Sequence, residues 1–87
     1  MDYLSILLLK KYITMLYMSD IRFKQFATKL KIIRLSKNIS QNKLSALAGI
    51  DNSYIGKIEK GDKSPSFKTI LKLADALEVQ IKDLFDF

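Results

Sequence analysis

The stretch from residue 41 to residue 60, QNKLSALAGIDNSYIGKIEK, decides the fold of this chain. Its apolar residues recur every three or four positions on both sides of Gly49, which indicates two short amphipathic helices. Glycine adopts the left-handed backbone conformation at the least cost, so Gly49 is predicted to end the first helix. Ser40 and Asp51 are the predicted N-caps, because their side-chain oxygens can accept from free helical N–H groups. The predicted helices cover residues 41–48 and 52–60.

The second of these helices carries polar side chains on the side away from its partner. Asn52, Ser53 and Lys57 lie there by helical spacing. This is the layout of a helix-turn-helix, in which the second helix enters the major groove of DNA. Asparagine can pair with adenine and lysine can donate to guanine, so these three residues are candidates for base contacts. The alternative interpretation is an ordinary solvated helix face.

Composition restricts the classes of function. A chain of 87 residues, 48% of them hydrophobic, can build one small domain with a single core. Its net charge of +6 favours a polyanionic partner, with nucleic acid first. The chain has neither cysteine nor histidine, which excludes disulfides, thiolate metal sites and every catalytic triad that needs imidazole. Paired carboxylates are the catalytic groups still open to this chain, but its acidic residues are spread singly along the sequence. We therefore expect no enzymatic activity, no metal ion and no cofactor.

The sequence after residue 21 predicts helices throughout and no strand. An apolar stripe that includes Phe23, Phe26 and Ala27 predicts a helix ending near Lys37 and Asn38. Ser64 and Pro65 form a start signal, with serine as the cap and proline at the first helical position of a helix over 65–77. A short last helix is predicted over 81–85. The predicted core consists of Leu30, Ile33, Leu44, Leu47, Ile50, Ile55, Ile58, Phe67, Ile70, Leu73 and Leu77.

Residues 1–18, MDYLSILLLKKYITMLYM, form an apolar extension that we separate from a domain over 19–87. The extension is shorter than the ~20 apolar residues needed to cross a bilayer, and two lysines interrupt it. Asp2 and the lack of a small-residue cleavage site argue against a signal peptide. Three interpretations remain open. The extension is an extra helix that packs on the domain or on a second subunit, or the natural start is Met18, or the segment is a disordered, aggregation-prone tail.

Residues 26–85 resemble the Cro/C1-type (Xre-like) helix-turn-helix domains of phage repressors and small bacterial regulators. The resemblance implies an all-α, five-helix, lambda-repressor-like DNA-binding domain that works as a dimer, here with an additional N-terminal apolar helix. Ser45 departs from the alanine common in the family. Gly56 lies inside the recognition helix, where it costs ~1 kcal/mol relative to alanine. It indicates either tolerated flexibility or close approach of the backbone to DNA. The resemblance rests on fragments in this order: Leu30-x-x-Ile33-Arg34, Ile39-Ser40-Gln41, Leu44-x-x-Leu47-Ala48-Gly49-Ile50, Tyr54-Ile55-x-x-Ile58-Glu59-x-Gly61, Pro65-Ser66 and Leu73-Ala74-x-Ala76-Leu77.

The resemblance also assigns roles to individual residues. The residue matching Gln41 binds a DNA phosphate, and the matching Arg34 and Glu59 form an ion pair that ties the first helix to the recognition helix. Residues matching 52, 53 and 57 supply most base contacts. Tyr54 is expected either to donate to a phosphate or to pack on the turn. The backbone N–H groups and the lysines at the exit of the recognition helix can flank a phosphate. The candidate phosphate contacts are Gln41, Lys43, Tyr54, Lys60, Lys63 and Ser64.

Together these features predict a sequence-specific regulator of transcription that binds double-stranded DNA in the cytoplasm, at the nucleoid. One domain covers too short a site, so a homodimer is expected on a pseudo-palindrome, with recognition helices about 34 Å apart. Candidate dimer contacts are Leu84, Phe85 and Phe87, or the N-terminal apolar helix. The expected mechanism is steric, in that a dimer bound over a promoter blocks, or sometimes recruits, polymerase. Within this class, the sequence does not separate a phage-type repressor, a restriction–modification controller and an antitoxin that also represses its operon. The alternatives are a protein-interaction module, an antitoxin or controller acting mainly through a protein partner, and a membrane-tethered regulator. Of these partners, we expect double-stranded DNA and a second copy of the chain ahead of a membrane.

Overall fold

Four α-helices and a terminal 3₁₀ helix make up the chain, and a computed structural model describes residues 2–87 of it. Over that range the chain forms no strand, as predicted. The prediction of five α-helices plus a separate N-terminal one is wrong in its count. The elements are α1 (Tyr3–Ser36), α2 (Gln41–Ala48), α3 (Asn52–Glu59), α4 (Phe67–Leu77) and the 3₁₀ helix (Ile81–Phe85).

Helix α1 is a single rod of 34 residues. It begins where Asp2 caps it, the Oδ1 atom accepting from the backbone N–H of Ser5 at 2.6 Å. No glycine or proline occurs between Tyr3 and Ser36, so nothing in the sequence breaks the helix. The apolar extension is therefore helical but continuous with the helix that follows it. The division between residues 18 and 19 falls inside α1 and stays a prediction.

The caps around α2 and α3 confirm the prediction made from Gly49 and its neighbours. The Ser40 hydroxyl accepts from the N–H of Lys43 at 3.0 Å, and the Asp51 carboxylate accepts from the N–H of Ser53 at 2.9 Å. Gly49 ends α2 with φ at 67°, in the left-handed region. These local hydrogen bonds fix where α3 starts, and hence which of its residues share a face.

Helix α4 begins two residues later than predicted. Its N-cap is Ser66, whose hydroxyl accepts from the N–H of Thr69 at 3.2 Å, so Ser64 and Pro65 precede the helix. Both serines offer the same capping hydroxyl, and proline tolerates the extended position before a cap as well as the first helical turn. The sequence correctly predicted a serine cap in this segment, but the cap is Ser66 and not Ser64.

The core lies between the second half of α1 and the four shorter helices. Two residues predicted to be in it are exposed: Leu47 at 51% and Phe67 at 65%. Helix α2 turns Leu44, Ser45 and Ala48 inward, which leaves Leu47 about a quarter turn away, and Phe67 is the first residue of α4. Ile33, Ile50 and Ile70 are only half-buried. The fully buried apolar side chains are Leu30, Leu44, Ile55, Ile58, Leu73, Leu77 and Leu84.

The first half of α1 stands outside this core. Every side chain from Asp2 to Met18 is exposed, and the chain measures 54 × 23 × 20 Å along its principal axes. None of the described helices is both long enough and apolar enough to cross a membrane.

Glu78 ends α4 in the left-handed conformation, at φ 57° and ψ 43°, where a residue with a Cβ atom is strained by ~1–2 kcal/mol. Glu78→Gly should raise the free energy of unfolding by roughly 0.5–1 kcal/mol, since glycine's greater freedom in the unfolded chain offsets part of the relief. Urea unfolding followed by circular dichroism measures this. Glu78→Ala, which keeps the Cβ, should give no gain, and equal stabilisation by both variants would contradict the explanation.

Candidate nucleic-acid interface

A bidentate ion pair joins α1 to the end of α3. The Arg34 Nε donates to Glu59 Oε2 at 2.7 Å, and Nη2 donates to Glu59 Oε1 at 3.0 Å. A third donor of the guanidinium, Nη1, bonds the Ile39 carbonyl at 2.8 Å. The side chains of Arg34 and Glu59 are only 7% and 3% exposed, so the pair is desolvated. Arg34 therefore ties together α1, the turn after it, and the recognition helix.

The electrostatics of this pair favour the charged state of the arginine. Hydrogen bonds from Arg34 to Glu59 raise the pKa of the guanidinium above its ordinary value, despite the opposing effect of burial. Among residues 2–18 and 20–87, no buried side-chain nitrogen or oxygen lacks a hydrogen-bond partner. A buried pair of this kind is stabilising only while both members are present, because either one alone would be an uncompensated buried charge.

Gln41 joins the same cluster from the start of α2. Its Nε2 donates to Glu59 Oε1 at 3.1 Å, so one carboxylate oxygen accepts from both α1 and α2. Gly56, one turn earlier on α3, makes room for this side chain: a Cβ at Gly56 would lie 3.3 Å from the Gln41 Oε1. The sequence offered flexibility or contact with DNA as the reason for this glycine. The structure adds a third reason, which is space for the Gln41 amide.

The candidate base-contacting residues are exposed on α3 but differ in whether their side-chain donors are already used in hydrogen bonds. Asn52 and Lys57 are exposed. The Ser53 hydroxyl donates to Asp51 Oδ1 at 2.9 Å, so its single proton is used and only its lone pairs are open to a ligand. The backbone N–H and the hydroxyl of Ser53, with a smaller contribution from Lys57, lower the pKa of Asp51. Asn52 and Lys57 are therefore the two side chains of this face that can still donate.

The candidate phosphate contacts surround this helix. Lys43, Lys60, Lys63 and Ser64 are all exposed. Tyr54 is half-buried against the core, with the Lys63 ammonium 6.0 Å from the centre of its ring.

The backbone at the exit of α3 offers less than the sequence suggested. The N–H of Lys63 donates to the carbonyl of Lys57 at 3.3 Å, and those of Gly61 and Asp62 also bond α3 carbonyls. These donors are used within the turn, so side chains remain as the phosphate ligands there. Within residues 2–87, no group of carboxylates is arranged to hold a metal ion.

The three candidate dimer contacts fall in different environments. Leu84 is fully buried in the core, so its side chain is not available at the surface. Phe85 is 44% exposed and stacks on Phe26, with ring centres 5.2 Å apart. Phe87 is 52% exposed and lies 6.5 Å from Phe85. Of these three candidates, Phe85 and Phe87 present aromatic surface to a second molecule.

Comparison with known proteins identifies the fold and its relatives. A protein-family model described as Helix-turn-helix (HTH_3) matches residues 30–84. The control protein C.BamHI of Bacillus amyloliquefaciens is 46% identical over 63 residues, covering 71% of this chain and 78% of that protein. The HTH-type transcriptional regulator SlrR of Bacillus subtilis is 36% identical over 58 residues, covering 66% of this chain but only 38% of SlrR.

A solved structure also has a similar fold. The restriction-modification controller protein C.AhdI from Aeromonas hydrophila superposes with a TM-score of 0.71 at 40% identity, over 72% of this chain and 96% of C.AhdI. The match covers nearly all of that controller. The matched family region begins at residue 30, so the apolar half of α1 lies outside it.

Replacing Glu59 should destabilise the fold, because it strands the Arg34 guanidinium in the interior. We expect Glu59→Ala to lower the free energy of unfolding by about 3–5 kcal/mol. Asp75→Ala, which removes an exposed carboxylate from α4, serves as the control and should change little. Denaturant unfolding measures both. A Glu59→Ala protein as stable as the parent would show that the ion pair does not hold α3 in place.

Proposed function

This chain belongs to the helix-turn-helix family of the Cro/C1 type, and on that premise we propose that it regulates transcription by placing α3 in the major groove of double-stranded DNA. The observation that carries the proposal is the exposure of Asn52 and Lys57 on a helix whose other side is fixed to α1 and α2. A fixed helix can present donors to base edges at defined positions. An exposed polar face on a mobile helix would not give sequence selectivity.

Base recognition is assigned chiefly to two side chains. Asn52 can pair with adenine through its amide, and Lys57 can donate to the O6 and N7 atoms of guanine. A bidentate contact of this kind is worth ~1–3 kcal/mol of discrimination against a wrong base. Ser53 contributes less, because its proton already bonds Asp51.

Phosphate binding is assigned to Gln41 and the lysines around α3. The Gln41 amide has two N–H donors, of which one bonds Glu59, so the second is free for a phosphate oxygen. Glu59 thus holds Gln41 in place while Arg34 holds Glu59. Lys43, Lys60 and Lys63 add positive charge that attracts the DNA backbone without reading sequence.

The biological class we propose is a restriction–modification controller. The control proteins C.BamHI and C.AhdI support this over a phage repressor or an antitoxin, because each is at least 40% identical to this chain over most of its own length. Residues 19–87 are the proposed DNA-binding part, acting on promoter DNA in the cytoplasm. Two copies are proposed to bind a pseudo-palindrome with their α3 helices about 34 Å apart.

The base-contact assignment predicts a loss of selectivity. In fluorescence anisotropy titrations at two salt concentrations, the chain should prefer DNA from upstream of its own gene to a shuffled duplex of equal composition. Asn52→Ala/Lys57→Ala should remove that preference, because each lost contact is worth about tenfold in affinity or more. Affinity for both duplexes should fall with salt, by a slope of about −0.9 per phosphate contact.

The control for this experiment is Lys31→Ala, which removes one positive charge from an exposed position on α1. It should keep the preference for the upstream fragment. Equal loss of preference in Lys31→Ala would mean that net charge, and not α3, selects the DNA. Absence of binding to either duplex would favour a protein-interaction module.

Gly56 predicts a separation of stability from DNA affinity. Gly56→Ala should not lower the melting temperature, since alanine favours a helix interior by ~1 kcal/mol. The added Cβ would lie 3.3 Å from the Gln41 Oε1, so the amide has to shift by a few tenths of an ångström, and DNA binding should weaken, but by less than in Gln41→Ala. The double variant should lose no more than Gln41→Ala alone, because both substitutions act through one contact. If Gly56→Ala weakens binding while Gln41→Ala does not, the glycine instead allows the backbone to approach DNA.

A further inference from the structure

The first half of α1 exposes an unusual amount of apolar surface. Twelve large apolar side chains between Tyr3 and Met18 are each 43–76% exposed. Monomeric soluble proteins rarely expose contiguous apolar surface on this scale unless a partner covers it. The matched family region does not include these residues, so their role has to be inferred from this chain.

Four of these side chains form a regular stripe. Ile6, Leu9, Ile13 and Leu16 are spaced by three, four and three residues, which places them on one face of the helix. This spacing is that of the a and d positions of two successive heptads, with isoleucine at both a positions and leucine at both d positions. β-Branched residues at a with leucine at d favour parallel, two-stranded coiled coils. We call these four residues the seam.

We infer that two copies of this chain pair through the seam as a short, parallel, two-stranded coiled coil. The four seam side chains are 47–57% exposed, and Tyr12 and Tyr17 flank them at 55% and 64%. Exposed portions of this size contribute on the order of 100 Å² each, so the six side chains offer about 600 Å² per copy, at the lower limit of stable interfaces. The pair is therefore weak by itself and concentration-dependent.

The residues at the two ends of the seam limit its length. Asp2 precedes the seam at a d position and Asp20 follows it at an a position. Two Asp20 carboxylates facing each other in a parallel pair would repel, so pairing ends at Leu16 and the helices diverge. Asp20 is instead 3.4 Å from the Lys24 ammonium of its own helix. Lys11 and Thr14 lie on the side of the helix away from the seam.

Pairing through the seam strengthens the DNA-bound dimer, and this consequence rests on the proposed function. Two copies on adjacent half-sites are held at a high effective concentration, so a weak coiled coil adds binding energy without any new DNA contact. Pairing can be tested by sedimentation and cross-linking of the protein without DNA. Failure of the pairing would leave the DNA-binding proposal standing, and failure of DNA binding would leave the pairing standing.

Sedimentation equilibrium of the full chain is the first test. The parent protein should show a monomer–dimer equilibrium, and Ile13→Glu/Leu16→Glu should weaken dimerisation at least about tenfold, because four carboxylates would enter the pair. Leu7→Glu/Thr14→Glu introduces the same charges away from the seam and should stay dimeric. All these residues are exposed in the single chain, so at concentrations where every variant is monomeric the melting temperatures should match the parent. A monomeric parent, a dimeric seam variant, or equal loss of dimer in both variants would overturn the proposal.

Cysteine cross-linking is the second test and fixes the orientation. The chain has no cysteine, so one introduced residue gives one possible disulfide. Leu16→Cys should form a covalent dimer on mild oxidation, because d positions face each other in a parallel pair. In an antiparallel pair centred on residue 11, the two Leu16 positions would be about 15 Å apart and would not react. Thr14→Cys should stay uncross-linked.

Two further outcomes would overturn the proposal, one from cross-linking and one from flotation with vesicles. One is equal reaction of Leu16→Cys and Thr14→Cys, which would indicate unspecific collisions. The other is a monomer that floats with vesicles of anionic phospholipid, which would assign the apolar extension to a membrane surface.

Discussion

The orientation of the recognition helix depends on one buried ion pair. Arg34 reaches from α1 and forms two hydrogen bonds with Glu59 at the end of α3, with donor–acceptor distances of 2.7 and 3.0 Å. Because both side chains are desolvated, movement of α3 away from α1 would leave a buried charge without its partner. Glu59 also accepts from Gln41, so α1, α2 and α3 share a single carboxylate. The helix that carries Asn52 and Lys57 is fixed at its far end by this cluster.

Local hydrogen-bonding chemistry made much of the fold predictable. Ser40, Gly49 and Asp51 each have one strongly preferred role next to a helix, so α2 and the start of α3 follow from the sequence alone. The start of α4 did not follow, because Ser64 and Ser66 can each supply the same capping hydroxyl. Leu47 was misplaced because helical spacing gives a face only to within about a quarter turn, and the opposing helices decide which residues it buries.

The candidate site was predictable in its residue types but not in its internal contacts. Spacing indicated that Asn52, Ser53 and Lys57 share a face, yet it could not show that the Ser53 proton bonds Asp51. Nor could it show why α3 contains a glycine. That reason is a three-dimensional one, since a Cβ at Gly56 would lie only 3.3 Å from the Gln41 Oε1 atom of another helix. Contacts between helices distant in sequence carry no local signal, and the seam of α1 lacks a partner in the single chain.

We propose that α3 reads base edges through two side chains whose positions are fixed by the Arg34–Glu59–Gln41 cluster. Selection of binding sites from a randomised duplex library tests it most directly, with the parent, Asn52→Ala and Lys57→Ala proteins compared. We expect a pseudo-palindromic consensus for the parent. Each substitution should relax the preference at one base position per half-site and leave the others unchanged. Identical consensus sequences for all three proteins would contradict it, because α3 would then not be the element that reads the DNA.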